Sequence, residues 1–407
     1  MSARSGRTGR GAPIAGLAVA LLIGCDTLLT EVPEPGDQLD GPIPGLSPEE
    51  LAAFVAGDEQ FGVAFTPSSG LGPIFNDVSC AACHSGDGRG RPENILIRIS
   101  RGADPALDVG GPQIQDRAIA GVTPERLPPG VDRSERLPPP VFGVGLIEAI
   151  PEDAILAHAD PDDVDGDGIS GRPNMVRTPD WVPGSEPGGG GGLRLGRFSR
   201  KAQVSSLLQQ TVEAYHQDIG ITSDFLPVEN PNPQTGSAGA AADDVADPEI
   251  PTARIRQVLA YIRMLQPPEP GPDTESRLRG GSLFGSIGCA ACHIPRFTAG
   301  PGPIPAIDGM DVPLYSDLLL HDMGEGLADG RPDGDATGRE WRTAPLWGLR
   351  VMRDFLDGDA FLLHDGRARS VEEAIVLHGG EAAVARDAFV SLTDEDRAAI
   401  LDFVESR

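Results

Sequence analysis

Cys80-Ala81-Ala82-Cys83-His84 and Cys289-Ala290-Ala291-Cys292-His293 are one pentapeptide written twice, and they decide how the rest of the chain is read. A C-x-x-C-H run is the attachment sequence of c-type haem. Two thiols add across the porphyrin vinyl groups, and the histidine that follows ligates the iron. The chain has five cysteines, and the two motifs use four of them. The sequence therefore predicts two covalently bound haems, with His84 and His293 as axial ligands. Zinc or two disulfides are the competing uses of paired cysteines. A zinc ribbon keeps its pairs within about 15 to 20 residues, whereas these lie 209 positions apart (289 − 80). Neither alternative accounts for a histidine at the same place after both pairs.

The fifth cysteine, Cys25, belongs to the amino-terminal segment. Arg4, Arg7 and Arg10 precede a short apolar stretch, Ala12 to Gly24, which is shorter than the roughly 20 residues of a membrane span. It ends in Leu22-Ile23-Gly24-Cys25, which resembles a bacterial lipobox, so residues 1–24 are expected to be a lipoprotein signal peptide and Cys25 the lipidated residue. The expected location is the periplasmic side of a bacterial membrane, with Asp26 favouring the inner membrane. Residues 25–47, rich in Pro, Gly and acids, read as a flexible tether. No later run of 18 apolar residues follows.

There are 33 Lys+Arg against 61 Asp+Glu, a formal charge of −28. That excludes nucleic acid as a partner and suits a basic redox protein, such as a small cytochrome or a cupredoxin. Gly and Pro number 53 and 39 while aromatics are 5%, a loop-rich balance that a large apolar cofactor at the core would offset.

Helical patterns bracket each motif. Ser47-Pro48-Glu49-Glu50 is a capping box, Pro251 opens an apolar period ending before Pro267-Pro268, and further helices are expected at 274–285, 201–218 and 393–404. Phe75 and Phe284 each stand five residues before a first cysteine. The expected fold is mainly α: two cytochrome c-like haem domains, 48–270 and 271–407. The first carries a loop-rich insertion at about 100–250.

Gly72-Pro73-Ile74-Phe75-Asn76, Asp163 to Asn174, Gly196-Arg197-Phe198 with Lys201-Ala202, Leu320 to Gly324, Trp341 to Gly348, Leu363 to Arg367 and His378 to Ala382 resemble the bacterial di-haem oxidoreductase family, also called thiol oxidoreductases. The resemblance runs from about residue 45 to the carboxyl terminus. It implies a peroxidase-like enzyme, similar at a greater distance to di-haem cytochrome c peroxidases, in which one haem relays electrons and the other meets peroxide. It also implies Arg342 near the second haem and, by position, His378 as that haem's distal ligand, with His321 and Met323 as rivals. His364 and Arg367 are expected to hold propionates or the fold. A thiol reaction would have to occur at iron, since no cysteine pair is left for it.

For the first haem, His158, Met175 and His216 are the possible distal ligands, beside an open iron. Glu148, inside the apolar run Val141 to Ile150, is the expected acid–base catalyst, because burial would raise its pKa; the competing role is a buried partner for an arginine. Asp163, Asp165 and Asp167 at alternate positions followed by Gly168 match the start of a calcium loop, although Asn174 stands where an EF-hand has its glutamate. The competing function is an electron carrier with two six-coordinate haems and no substrate chemistry.

Overall fold

The computed structural model describes residues 39–84, 86, 88–235 and 244–407. The signal peptide, Cys25 and the tether up to residue 38 lie outside the described residues. Helices dominate the regular structure. They are α1 (Pro48–Phe61), α2 (Cys80–Cys83), α3 (Val144–Ala149), α4 (Glu152–Leu156), α5 (Leu207–Ala214), α6 (Thr252–Met264), α7 (Glu275–Ser286), α8 (Leu349–Phe355), α9 (Val371–Leu377), α10 (Ala383–Ser391) and α11 (Asp394–Glu405). Strands are few and short, paired as five two-stranded antiparallel sheets among the described residues.

The helix starts follow local chemistry. Ser47 Oγ accepts from the Glu50 N–H at 3.2 Å and Glu50 Oε2 accepts from the Ser47 N–H at 2.7 Å, the reciprocal box read in the sequence. Thr274, Ser370 and Thr393 cap α7, α9 and α11 in the same way. The helix expected over 201–218 begins later, at Leu207. Ser199 and Ala202 take left-handed backbone (φ 66° and 52°), and this turn buries the Lys201 amine against Asp329 at 2.8 Å. Here one buried ion pair overrides helical propensity. The segment then passes from α5 into a π-helical turn, Tyr215–Ile219, a geometry that clusters at functional sites.

Two helix pairs do the framing: α1 packs on α6, and α7 packs on α11. Each pair crosses at a glycine. A Cβ on Gly57 would overlap the carbonyl oxygen of Gln257 in α6, and one on Gly280 would overlap that of Ala399 in α11. Backbone cannot yield as a side chain can, so Gly57→Ala and Gly280→Ala are each expected to cost about 1–3 kcal/mol by overpacking. Urea unfolding of the purified holoprotein measures this.

The aromatic rings beside the motifs repeat as well. Phe61 and Tyr261 (5.5 Å between rings) stand by His84, and Phe284 and Phe403 (5.4 Å) stand by His293. Phe284 therefore corresponds to Phe61. Phe75, matched to it by spacing, lies in a short strand, Ile74–Phe75. The larger apolar core draws on both halves of the chain: Phe297, Ile307 and Leu314 join Phe54, Phe142 and Leu259 in it.

Candidate functional site

Both motifs fold into a tight turn in which the histidine N–H donates to the first cysteine's carbonyl, at 2.9 Å for His84 and 3.0 Å for His293. Ser79 caps the first turn, its Oγ accepting from the Ala82 N–H at 3.1 Å. Nδ1 of His84 faces the Gly88 carbonyl at 3.4 Å, and Nδ1 of His293 donates to the Tyr315 carbonyl at 2.8 Å. A backbone acceptor on Nδ1 fixes the tautomer and points Nε2 to the ligand role in His293, while His84 also bonds the Pro139 backbone. Burial pushes both imidazoles down to about 4, so they stand neutral, as a metal requires.

Around the first motif is a cavity of about 530 Å³, lined by Cys80, Cys83, His84, Phe142, Phe198 and Leu207 among others. One side of it is cationic. Arg89, Arg136, Arg200 and Arg342 are buried on its wall. Burial lowers Arg89, Arg136 and Arg342 to about 10, and Arg200 is lowered further by burial and by the three other guanidiniums. Arg136 pairs with Asp333, while Arg89, Arg200 and Arg342 donate to backbone carbonyls. Among the described residues, Nε of Arg89 and Nη1 of Arg136 have no hydrogen-bond partner. An apolar cavity with two thiols, a neutral imidazole and a wall of four arginines, of which Arg136 has a carboxylate bonded to it, matches a flat apolar ring that carries carboxylates. Haem with its two propionates fits.

The other end of the cavity is acidic. Glu213 on α5 and Asp218 on the π-helical turn both line it. Burial raises both carboxyls, Asp218 to about 6, against bonds from Gln209 Nε2 to Glu213 (2.8 Å) and Gln113 Nε2 to Asp218 (2.6 Å). No lysine or arginine forms an ion pair with Glu213 among the described residues. Sequence reasoning missed both, because α5 reads as an ordinary amphipathic helix. The one available signal is a pair of acids flanking Tyr215 in an otherwise Gln-rich turn.

Glu148 has the other role considered for it. Its two carboxylate oxygens accept from Arg263 Nε (2.6 Å) and Nη2 (2.9 Å), and Glu186 joins the same buried guanidinium at 2.8 Å. Burial does raise Glu148, as expected, yet both oxygens are held, and Ile147 rather than Glu148 faces the cavity. Arg342 lines the first cavity, and it also interacts with Asp317, whose N–H donates to the Cys292 carbonyl of the second motif at 2.9 Å. Of the three distal candidates only Met175 reaches that cavity. His158 packs edge-on against Phe297, and His216 Nε2 bonds the Val228 carbonyl at 2.9 Å.

At the second motif, His378 ends α9 with its Nδ1 on the Ala374 carbonyl at 2.6 Å, the same backbone-held Nδ1 as in His293. Burial lowers its pKa, and its charge bears on His293. His321 differs. Its Nε2 is 2.8 Å from Asp317 Oδ2 and its Nδ1 is 2.8 Å from Glu381 Oε2, so neither nitrogen is left for iron. Burial alone would lower His321, but the bonds to Asp317, Cys292 and Glu381 raise it well above its ordinary value. Met323 lies half-buried on the next turn, its carbonyl beside Gly379. His364 stacks on Trp341 at 3.7 Å, and Arg367 pairs with Asp365.

In the acidic loop, carboxylate oxygens of Asp160, Asp163 and Asp165 come within 4.8 Å of one another. Asp167 instead accepts from the Ile169 N–H at 2.8 Å, so the structure substitutes Asp160 for it. Asn174 is buried, donating to the Lys201 and Asp333 carbonyls.

A family model described as "Di-haem oxidoreductase, putative peroxidase" matches residues 23–100 and 115–407. The chain belongs to the di-haem oxidoreductase family. It is accordingly an oxidoreductase enzyme with haem cofactors. Among solved structures it is similar to hydrazine synthase from Kuenenia stuttgartiensis (15% identity, TM-score 0.39, 98% of this chain and 100% of that one). It is also similar to a single-residue variant of the di-haem peroxidase from Burkholderia thailandensis (15% identity, TM-score 0.39, 92% and 88%). No curated protein matches this di-haem oxidoreductase.

Proposed function

We propose that this di-haem oxidoreductase is a c-type, peroxidase-like enzyme with two cytochrome c-like haem domains, 48–270 and 271–407, the first carrying the insertion at about 100–250. In this reading Cys80 and Cys83 hold one haem and Cys289 and Cys292 the other, with His84 and His293 as proximal ligands. Haem, when bound, supplies an iron that exchanges electrons with peroxide or another small substrate. The remaining chemistry falls to side chains. Glu213, half-buried at the cavity's polar end, moves a proton between the peroxide oxygens, and Asp218 stands near it on the π-helical turn that follows. Arg89, Arg200 and Arg342 hold the carboxylates of the first haem. His378 presents Nε2 to the second iron, which would then be six-coordinate and low-spin and serve electron transfer.

Cys25 lipidation, a periplasmic membrane anchor, a basic redox partner, and Ca²⁺ held by Asp160, Asp163 and Asp165 complete the proposal. The single observation that carries it is the inequality of the two motifs. One opens into a cavity of about 530 Å³ with buried acids, while the other has a histidine ready at its side.

The test is the spin state of the purified holoprotein. One high-spin haem that binds cyanide, beside one low-spin haem that does not, is the expected result. Two inert low-spin haems, with Met175 on the first iron, would establish the electron carrier instead.

A further inference from the structure

His378 stands at the C-cap of α9 with non-helical backbone (φ −62°, ψ 130°). Its imidazole is held by the Ala374 carbonyl of α9 at 2.6 Å, and its backbone is carried by the turn that follows. Gly380–Ala382 forms that turn, and Glu381 ties it down. Glu381 Oε1 accepts from Ser170 Oγ at 2.7 Å and from the Asp322 N–H at 3.1 Å. Oε2 accepts from the Ser170 N–H at 3.1 Å and lies 2.8 Å from His321 Nδ1. His321 in turn lies 3.6 Å from Cys292 Sγ and 2.8 Å from Asp317 Oδ2. Bonds from His321, Ser170 and the Asp322 N–H hold Glu381 at about 2 despite burial, so it is a full-time acceptor.

The two glycines before it fit only this place. A Cβ on Gly380 (φ 54°) would overlap the Asp322 carbonyl, and one on Gly379 would lie 2.9 Å from the Met323 carbonyl. Arg386 Nη1 adds a bond to the His378 carbonyl at 2.8 Å. One carboxylate thus gathers three segments: the exit of the acidic loop at Ser170, the Leu320–Asp322 strand, and the turn after His378. Ser170 also closes that loop, its carbonyl accepting from the Asp160 N–H at 2.8 Å.

We propose that Glu381 is the positioning residue for the second haem's distal ligand: its four hydrogen bonds fix the turn that aims His378, and through Ser170 they tie that aim to the acidic loop. The inference rests on the reading of His378 as a ligand. A metal-binding constellation tolerates only about 0.5 Å of misplacement, and outer partners of this kind govern how a ligand is presented. A carboxamide at 381 would place an NH2 where an acceptor is required, so one or two of the four bonds must break.

The experiment compares Glu381→Gln, Ser170→Ala and His378→Ala holoproteins by magnetic circular dichroism and electron paramagnetic resonance, with haem counted by pyridine haemochrome. Glu381→Gln is expected to convert most of the low-spin signal to high-spin while keeping two haems per chain, and added imidazole restores it. Ser170→Ala, which loses only the 2.7 Å bond, converts a smaller share. If Glu381→Gln keeps the wild-type low-spin signal while His378→Ala loses it, the positioning role is overturned alone. If His378→Ala keeps the signal, both the role and the ligand reading fall. A high-spin Glu381→Gln protein that imidazole cannot restore shows collapse of the pocket and also overturns the role.

Discussion

Replacing Cys80 and Cys83 together by alanine is expected to leave one covalently bound haem per chain instead of two and to unfold the part of the molecule built around the first. The reason is volume. A void of about 530 Å³ left unfilled, at about 24 cal/mol per Å³, costs about 13 kcal/mol. That is an upper figure, since water can enter the polar end, but it matches the whole stability of an ordinary domain, about 5–15 kcal/mol. Charge adds to the loss. Arg89 and Arg200 would remain buried, and Arg342 half-buried, with backbone carbonyls as acceptors. Pyridine haemochrome and intact mass count the haems, and far-UV circular dichroism follows the melting. A variant with one haem and an unchanged melting curve would show that the protein, not the cofactor, makes the core.

The second large effect separates two glutamates. Glu213→Gln is expected to lower peroxide turnover about 100- to 10,000-fold, the usual contribution of a general acid–base group, with haem content and melting temperature close to wild type. Glu148→Gln should do the reverse. It weakens the bidentate pair and leaves Arg263 with Glu186 as its carboxylate partner, costing about 1–3 kcal/mol, while the folded fraction turns over peroxide nearly as before. Stopped-flow kinetics normalised to folded haem protein, beside denaturant unfolding, distinguishes the two. Loss of turnover in Glu148→Gln with normal stability would return the catalytic role to that residue.

The pairing of Glu148 with Arg263 shows where reading the chain alone reaches its end. Local chemistry is legible: the capping serines and threonines, the period of α6, and the cysteine pairs each announce themselves within a few residues. The acidity of Glu148 in an apolar run is legible too, but its partner lies 115 positions away. Arg342 belongs to a motif that resemblance places by the second haem, and only the fold shows that it also walls the first cavity. The acidic loop is legible as a candidate cation site, while its membership changes by one residue because Asp167 turns to cap Ile169. Glu381 and His321 stand in motifs that the resemblance marks, but nothing in either motif says that the two side chains meet. Their meaning arises only when three distant segments meet.

The walls of the first cavity also bear on whether the molecule can be divided. Arg342, Pro345 and Trp347 come from the second half and line a cavity whose cysteines belong to the first. Arg89, from the first half, donates to the Phe361 carbonyl of the second at 2.6 Å. Cutting the chain near residue 270 would give two pieces that each lack part of a wall, so neither half is a self-sufficient cytochrome. A duplicated motif need not mean exchangeable modules: residues from both halves of the chain wall the first cavity, so the halves are expected to mature together.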